Sequence, residues 1–223
     1  MPARQNLTYL DFRDEVESGK IKTFYFISAY DNYFVSRAAE LLKEKLFGSK
    51  DNNENYFIRY ADDSKYTEVL DLCSNFTSIF SPKKLVVLKK CEKLGRALQQ
   101  ILIYTEKPDE DTVLMLVFDR DYVIERKLNT EEFGFYEFSE LPRKYFFQWI
   151  AEQFENRDCS IDEPVLELFA SSVPYNYDIA VQEIEKISNN DFGGKEKIIS
   201  KEIILNFIGF DKMYTPDDLM VSI

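Results

Sequence analysis

Apolar positions fall into two kinds of run. Lys22–Ala29, Tyr56–Tyr60, Leu85–Leu88 and Thr112–Phe118 are short and dense in β-branched and aromatic residues. Such runs predict strands buried on both faces. Between them, apolar residues recur every three or four positions, as on one face of a helix. Thr8 to Gly19 carries Leu10, Phe12 and Val16, with Gly19 as a stop. Phe34, Ala38, Leu41 and Leu42 follow Asp31, a candidate cap. Tyr66, Val69, Leu70, Cys73 and Phe76 predict a helix ending near Phe80, and Leu94 to Tyr104 predicts another. Phe133 to Phe138 is a possible fifth strand after an irregular stretch. Strands alternating with helices predict an α/β fold, a mainly parallel sheet flanked by helices.

The pattern changes at Leu141-Pro142. Arg143–Phe154, Pro164–Val173, Ile179–Ile187 and Ile203–Ile208 all have helical spacing with no strand between them. Asp162, Asp178 and Ser200 stand where N-caps belong. The reading is an α/β domain over residues 1–141 and a small all-helical domain over 142–210. Tyr214 to Ile223 looks like the start of another helix, either the beginning of a further domain or an amphipathic tail.

Composition narrows the chemistry. A net charge of -12 argues against a general nucleic-acid binder, because phosphate binding needs a basic footprint. The absence of histidine removes Ser-His and Cys-His catalysis and HExxH zinc sites. Cys73, Cys91 and Cys159 have no CxxC spacing, which reads as reduced thiols in a cytoplasmic protein. No stretch has the roughly 18 consecutive apolar residues of a membrane span.

An α/β domain followed by a helical one suggests a nucleotide-binding machine. A phosphate loop needs Gly-x4-Gly-Lys-Ser/Thr, whose backbone amides cradle the phosphates. No pair of the seven glycines has that spacing. The turn after the first strand, Ser28-Ala29-Tyr30-Asp31-Asn32-Tyr33, lacks glycine and lysine and carries an acid. The Leu85–Leu88 strand ends in Lys89-Lys90, where a magnesium site needs a carboxylate. The architecture of an ATPase is expected without its chemistry, so no cofactor and no intrinsic catalysis are expected.

Three groups are candidates for binding. Ile79 and Phe80 precede Ser81-Pro82 at the end of an amphipathic helix. They are either core or an anchor for a partner protein. Lys83, Lys84, Lys89, Lys90, Lys93 and Arg96 form the densest basic cluster, a possible contact for DNA or an acidic partner, or else a solvated edge. Asp109, Glu110, Asp111, Asp119 and Asp121 flank the Thr112–Phe118 strand, as loop acids or as ligands of a Mg²⁺-dependent nuclease or phosphotransferase. Trp149 reads as core or interface packing.

In this order the segments resemble the delta subunit of the bacterial DNA polymerase III clamp loader. Phe24 to Phe34 is similar to that family's first strand and turn, though Ala29-Tyr30 replaces its glycine-acid pair. Ser78-Ile79-Phe80-Ser81-Pro82-Lys83-Lys84-Leu85-Val86-Val87-Leu88 resembles its S-L-F-x-x-K/R-R-L-V-x-L segment. Thr112–Phe118 resembles its next strand. Ile161–Leu168 with Ile179–Ile187 resembles its lid helices, with Gln182 where the family favours Asn. The resemblance implies an AAA+-like domain without ATPase motifs, a helical lid, and the start of a C-terminal collar over residues 211–223. It implies that Ile79 and Phe80 bind the sliding clamp and help hold it open during DNA replication. The implied partners are that clamp, ATP-hydrolysing and delta-prime subunits through the collar, and primer-template DNA only within the complex. The family is classed within a DNA-directed DNA polymerase holoenzyme, although this subunit is expected not to catalyse. Alternatives from other classes are the Mg²⁺-dependent enzyme and a noncatalytic regulatory scaffold.

Overall fold

The computed structural model describes residues 7–29, 32–48, 54–74, 83–119, 133–139, 142–190, 192–193 and 196–207. The chain divides into two compact units, Met1–Glu140 and Leu141–Ile223.

The first unit is built on five parallel strands: β1 (Phe24–Ala29), β2 (Tyr56–Tyr60), β3 (Lys84–Lys89), β4 (Thr112–Asp119) and β5 (Phe133–Phe138). Their order across the sheet is β2-β3-β4-β1-β5. Phe26 of β1 lies between Leu116 of β4 and Phe135 of β5. Strand alternation sorts the side chains onto two faces. Phe24, Phe26, Val86, Leu88, Leu114, Leu116 and Phe118 form one core with Val69 and Cys73 of α3 (Tyr66–Ser74) and Leu98 and Ile101 of α4 (Ala97–Tyr104). Tyr25 faces the other way, edge-on to Phe12 of α1 (Tyr9–Glu17) at 5.3 Å. Phe12 also meets Tyr136 and Phe138 of β5, and Tyr9 packs on Phe34 of α2 (Asn32–Phe47). The sheet is therefore covered on both sides, as continuous apolar strands require.

Local signals place the elements. Thr8 and Asp11 form a capping box: the Thr8 hydroxyl accepts from Asp11 N–H, and the Asp11 carboxylate accepts from Thr8 N–H at 2.7 Å. These bonds hold the Asp11 carboxyl below its usual range. The helix expected from Leu94 is shorter. Cys91–Leu94 is a single 3-10 turn, and Gly95 at φ 54 breaks the run before α4 begins. Gly134 in β5 has no room for a side chain, since a Cβ would run into the Tyr136 and Tyr25 rings. The helix expected to end near Phe80 is described to Ser74, and residues 75–82 lie outside the described residues. Asp31, the expected cap, also lies outside them.

The second unit contains α5 (Arg143–Glu155), α6 (Glu163–Ser172), α7 (Tyr177–Ser188) and α8 (Lys201–Phe207). Phe146, Ile150, Phe154, Phe169, Ala180, Ile184, Ile187 and Ile204 are buried in it. It departs from an all-helical unit in having two short parallel strands, β6 (Cys159–Ile161) and β7 (Lys197–Ile199). Three residues are too few to display a period-two pattern. Asp162 caps α6 through Val165 N–H at 3.0 Å, as expected. The cap of α7 is Asn176, whose Oδ1 accepts from Ile179 N–H at 2.9 Å; Asp178 lies inside the first turn. Trp149 is half-buried against Tyr177 and Phe146.

Candidate functional site

In parallel α/β sheets, ligands bind beyond the carboxyl ends of the strands. Here that end holds a cleft of about 390 Å³, lined by Ala29, Asn32, Val35, Tyr60, Lys89, Lys90, Glu92, Val117, Phe118 and Asp119. Four strand ends, β1 to β4, reach it. Its floor is apolar through Val35, Val117 and Phe118, and its rim is charged.

Only residues 30 and 31 separate β1 from α2. A phosphate loop runs seven residues from its first glycine to its lysine, so a two-residue connection cannot form that cradle. A cation from β3 reaches the start of α2 instead. Lys89, at the end of β3, donates from Nζ to Asn32 Oδ1 at 2.7 Å at the start of α2. An ammonium thus stands where Mg²⁺ coordination needs a carboxylate. Two nearby acids, Glu92 and Asp62, are tied into the protein. Glu92 accepts from the Asp119 N–H at 3.1 Å, and Asp62 pairs with Lys90 at 2.6 Å. That hydrogen bond pulls the Asp62 carboxyl below its ordinary value and pushes the Lys90 ammonium up. Lys90 holds a left-handed backbone, φ 59, and its Nζ lies over the Tyr60 ring at 5.6 Å.

The six basic residues do not form one patch. Lys83 precedes β3, whereas Lys89 ends it and Lys90, Lys93 and Arg96 follow. Six residues of strand place them about 20 Å apart. Lys84 departs from the expectation of a surface contact. It is 2% exposed, and its Nζ donates to Cys73 O at 2.9 Å and Leu72 O at 3.2 Å, the last turn of α3. Helix C-terminal carbonyls are unsatisfied by the helix itself and carry partial negative charge, which explains a buried ammonium there. Thr112 Oγ1 adds a bond to Cys73 O at 2.9 Å. Lys93 and Arg96 are exposed beside the cleft.

The acidic residues are divided in the same way. Asp109 and Asp111 precede β4, and Asp119 ends it. Asp109 Oδ1 accepts from the Asp111 N–H at 2.9 Å, a turn-forming contact. Among the described residues no three acids or cysteines come close enough to hold a metal ion. Asp121, Ile79 and Phe80 lie outside the described residues. The three cysteines are buried, and desolvation pushes the Cys73 thiol up to about 12 and the Cys91 thiol up as well. Among the described residues no helix is long and apolar enough to cross a membrane.

The Lys89–Asn32 bridge, the Lys90–Asp62 pair and the Lys84 pin were not marked by any motif. Each joins residues distant in sequence across neighbouring elements, so only the strand order brings them together.

The sequence matches no protein-family model and no curated protein. Solved structures match the fold. Bacillus subtilis DNA clamp loader delta protein (YqeN) superposes with a TM-score of 0.56 at 14% identity, over 88% of this chain and 61% of that one. Thermotoga maritima RuvB, a Holliday junction branch migration motor, gives 0.59 at 13% identity, over 89% and 65%. The chain spans less than two thirds of the length of either structure. The five-stranded parallel sheet with helices on both faces, followed by a mainly helical unit, is an AAA+-like α/β fold.

Proposed function

We propose that the chain is a clamp-loader subunit of the delta type. It binds the ring-shaped sliding clamp and favours its open form, shifting that equilibrium by differential affinity and without hydrolysing ATP. The observation that carries this reading is the cleft: an AAA+-like sheet whose β1–α2 connection is too short for a phosphate loop and whose β3 ends in Lys89, bonded to Asn32. A motor of the RuvB kind shares the fold, and these residues do not supply a phosphate loop. The clamp loader delta protein among the similar structures supports the choice of a loader subunit.

On this reading Ile79 and Phe80 enter a pocket of the clamp, since apolar anchors in a desolvated pocket carry most interface energy. Residues from 211 onward begin the collar that joins ATP-hydrolysing and delta-prime subunits. DNA is met only in the assembled loader, because the chain's net charge of -12 repels phosphates. The setting is cytoplasmic DNA replication. The test is affinity capture of the purified sliding clamp from the same organism. Specific, saturable capture supports the reading. A clamp that is folded and active with its own loader yet is not retained would overturn it.

A further inference from the structure

The two edges of the five-stranded sheet are treated differently. At β5, Leu7 bridges to Tyr136, and its carbonyl accepts from the Glu137 N–H at 2.8 Å. At β2, no strand lies further out among the described residues. The ladder to β3 uses the odd-numbered residues: Asn55 O accepts from Leu85 N–H at 2.9 Å, and Ala61 N–H donates to Lys89 O at 2.9 Å. Alternation along the strand turns the backbone amides and carbonyls of Tyr56, Ile58 and Tyr60 outward.

Two of those three outward carbonyls are occupied from within the chain. Tyr60 O accepts from Asp63 N–H at 3.1 Å and Ser64 N–H at 2.9 Å in the turn that follows. Ile58 O accepts from Arg59 Nη1 at 2.9 Å. The guanidinium lies over the Phe57 ring at 5.9 Å, which holds it at the edge. The surrounding surface is apolar, with Ile58 39% and Tyr60 40% exposed.

Tyr56-Phe57-Ile58-Arg59-Tyr60 is complementary to itself. Two copies paired antiparallel about a two-fold axis through Ile58 set Tyr56 opposite Tyr60 and Phe57 opposite Arg59. The two Ile58 residues then exchange both central N–H···O bonds. Each of those bonds must reach an Ile58 carbonyl from the outward side, where the Arg59 guanidinium already sits.

We propose that Arg59 guards the β2 edge: its hydrogen bond to the Ile58 carbonyl keeps the strand from pairing with a second copy of the chain. The test is sedimentation velocity over a concentration series for the wild type, Arg59→Ala, and Arg59→Ala with Ile58→Pro. Salt is kept high so that the net charge is screened. Proline at 58 removes an outward N–H and leaves the β3 ladder intact, as edge strands tolerate. The wild type is expected to remain monomeric. Arg59→Ala is expected to self-associate at least about tenfold more tightly, the scale of one net hydrogen bond, with the Ile58 amide slowing in hydrogen exchange. Adding Ile58→Pro should restore the monomer. A monomeric Arg59→Ala, an equally dimeric wild type, or a dimer that survives Ile58→Pro would each overturn the proposal. If circular dichroism shows Arg59→Ala unfolded, Arg59→Met, which keeps the side-chain bulk without a donor, is judged by the same outcomes.

Discussion

Replacing Lys84 by methionine measures what a buried ammonium does at the end of α3. The side chain is 2% exposed, with Nζ at 2.9 Å from Cys73 O and 3.2 Å from Leu72 O. A hydrogen bond from a charged donor contributes about 1.5–3 kcal/mol net, and a cation at a partly buried helix C-terminus up to about 2. These overlap, because the same carbonyls supply both. Against them stands the cost of desolvating the ammonium, which methionine removes while filling similar space. Cys73 O keeps Thr112 Oγ1 as a donor. A net loss of about 1–3 kcal/mol is therefore expected, a fall in Tm of roughly 3–10 °C for a unit of this size. Lys84→Met combined with Thr112→Val should lose more than the two single variants together, since Cys73 O then loses both side-chain donors. Urea and thermal unfolding followed by circular dichroism read all three. A Lys84→Met protein as stable as the wild type would mean that desolvation outweighs the bonds, and the pinning argument fails. If Lys84 instead contacted DNA, the substitution would change binding and leave stability alone.

Ile79→Ala with Phe80→Ala should weaken clamp binding by about 2–4 kcal/mol with the Tm nearly unchanged. A large fall in Tm, or undiminished affinity, would return these residues to the core. Isothermal titration with Mg-ATP should give no saturable heat; a magnesium-dependent isotherm would contradict the short β1–α2 connection and the Lys89–Asn32 bridge. Burial pushes the phenols of Tyr25, Tyr56 and Tyr104 up to about 12 and that of Tyr136 higher. Unfolded tyrosines ionise near pH 10, so this contribution to stability is whole below about pH 10 and is lost as pH rises towards the folded values. Tyrosinate absorbance should rise first for exposed phenols and then, with unfolding, for the buried ones; one smooth phase refutes the assignment.

The strands were legible because the parallel sheet is buried on both faces, which leaves continuous apolar runs at Lys84–Lys89 and Thr112–Asp119. Thr8 and Asp162 marked helix starts because their side chains do satisfy free N–H groups. Asn176 was passed over for Asp178 because α7 begins with a buried tyrosine, Tyr177, which adds nothing to the polar face of the helix. The basic cluster misled for a geometric reason: neighbours in sequence across a strand sit at its two ends. Lys84 misled for an energetic one, since a charged residue adjoining an apolar run reads as its exposed boundary, whereas the C-terminus of α3 supplies acceptors that sequence does not reveal. The cleft was legible only as missing chemistry; the bridge that fills its rim depends on strand order.

The position of β1 has a consequence for biosynthesis. Phe26 lies between Leu116 and Phe135, so the interior strand β1 is made early and both its neighbours late. During translation the apolar strand from Phe24 to Ile27 leaves the ribosome long before either partner exists. Pairing with β4 or β5 must bridge most of the unit's length, and such distant contacts slow folding and lengthen the time that sticky surface is exposed. A nascent chain paused before Phe133 would leave one side of β1 without its β5 partner. Chaperone demand should therefore peak late in synthesis of this unit and fall once Phe138 has emerged.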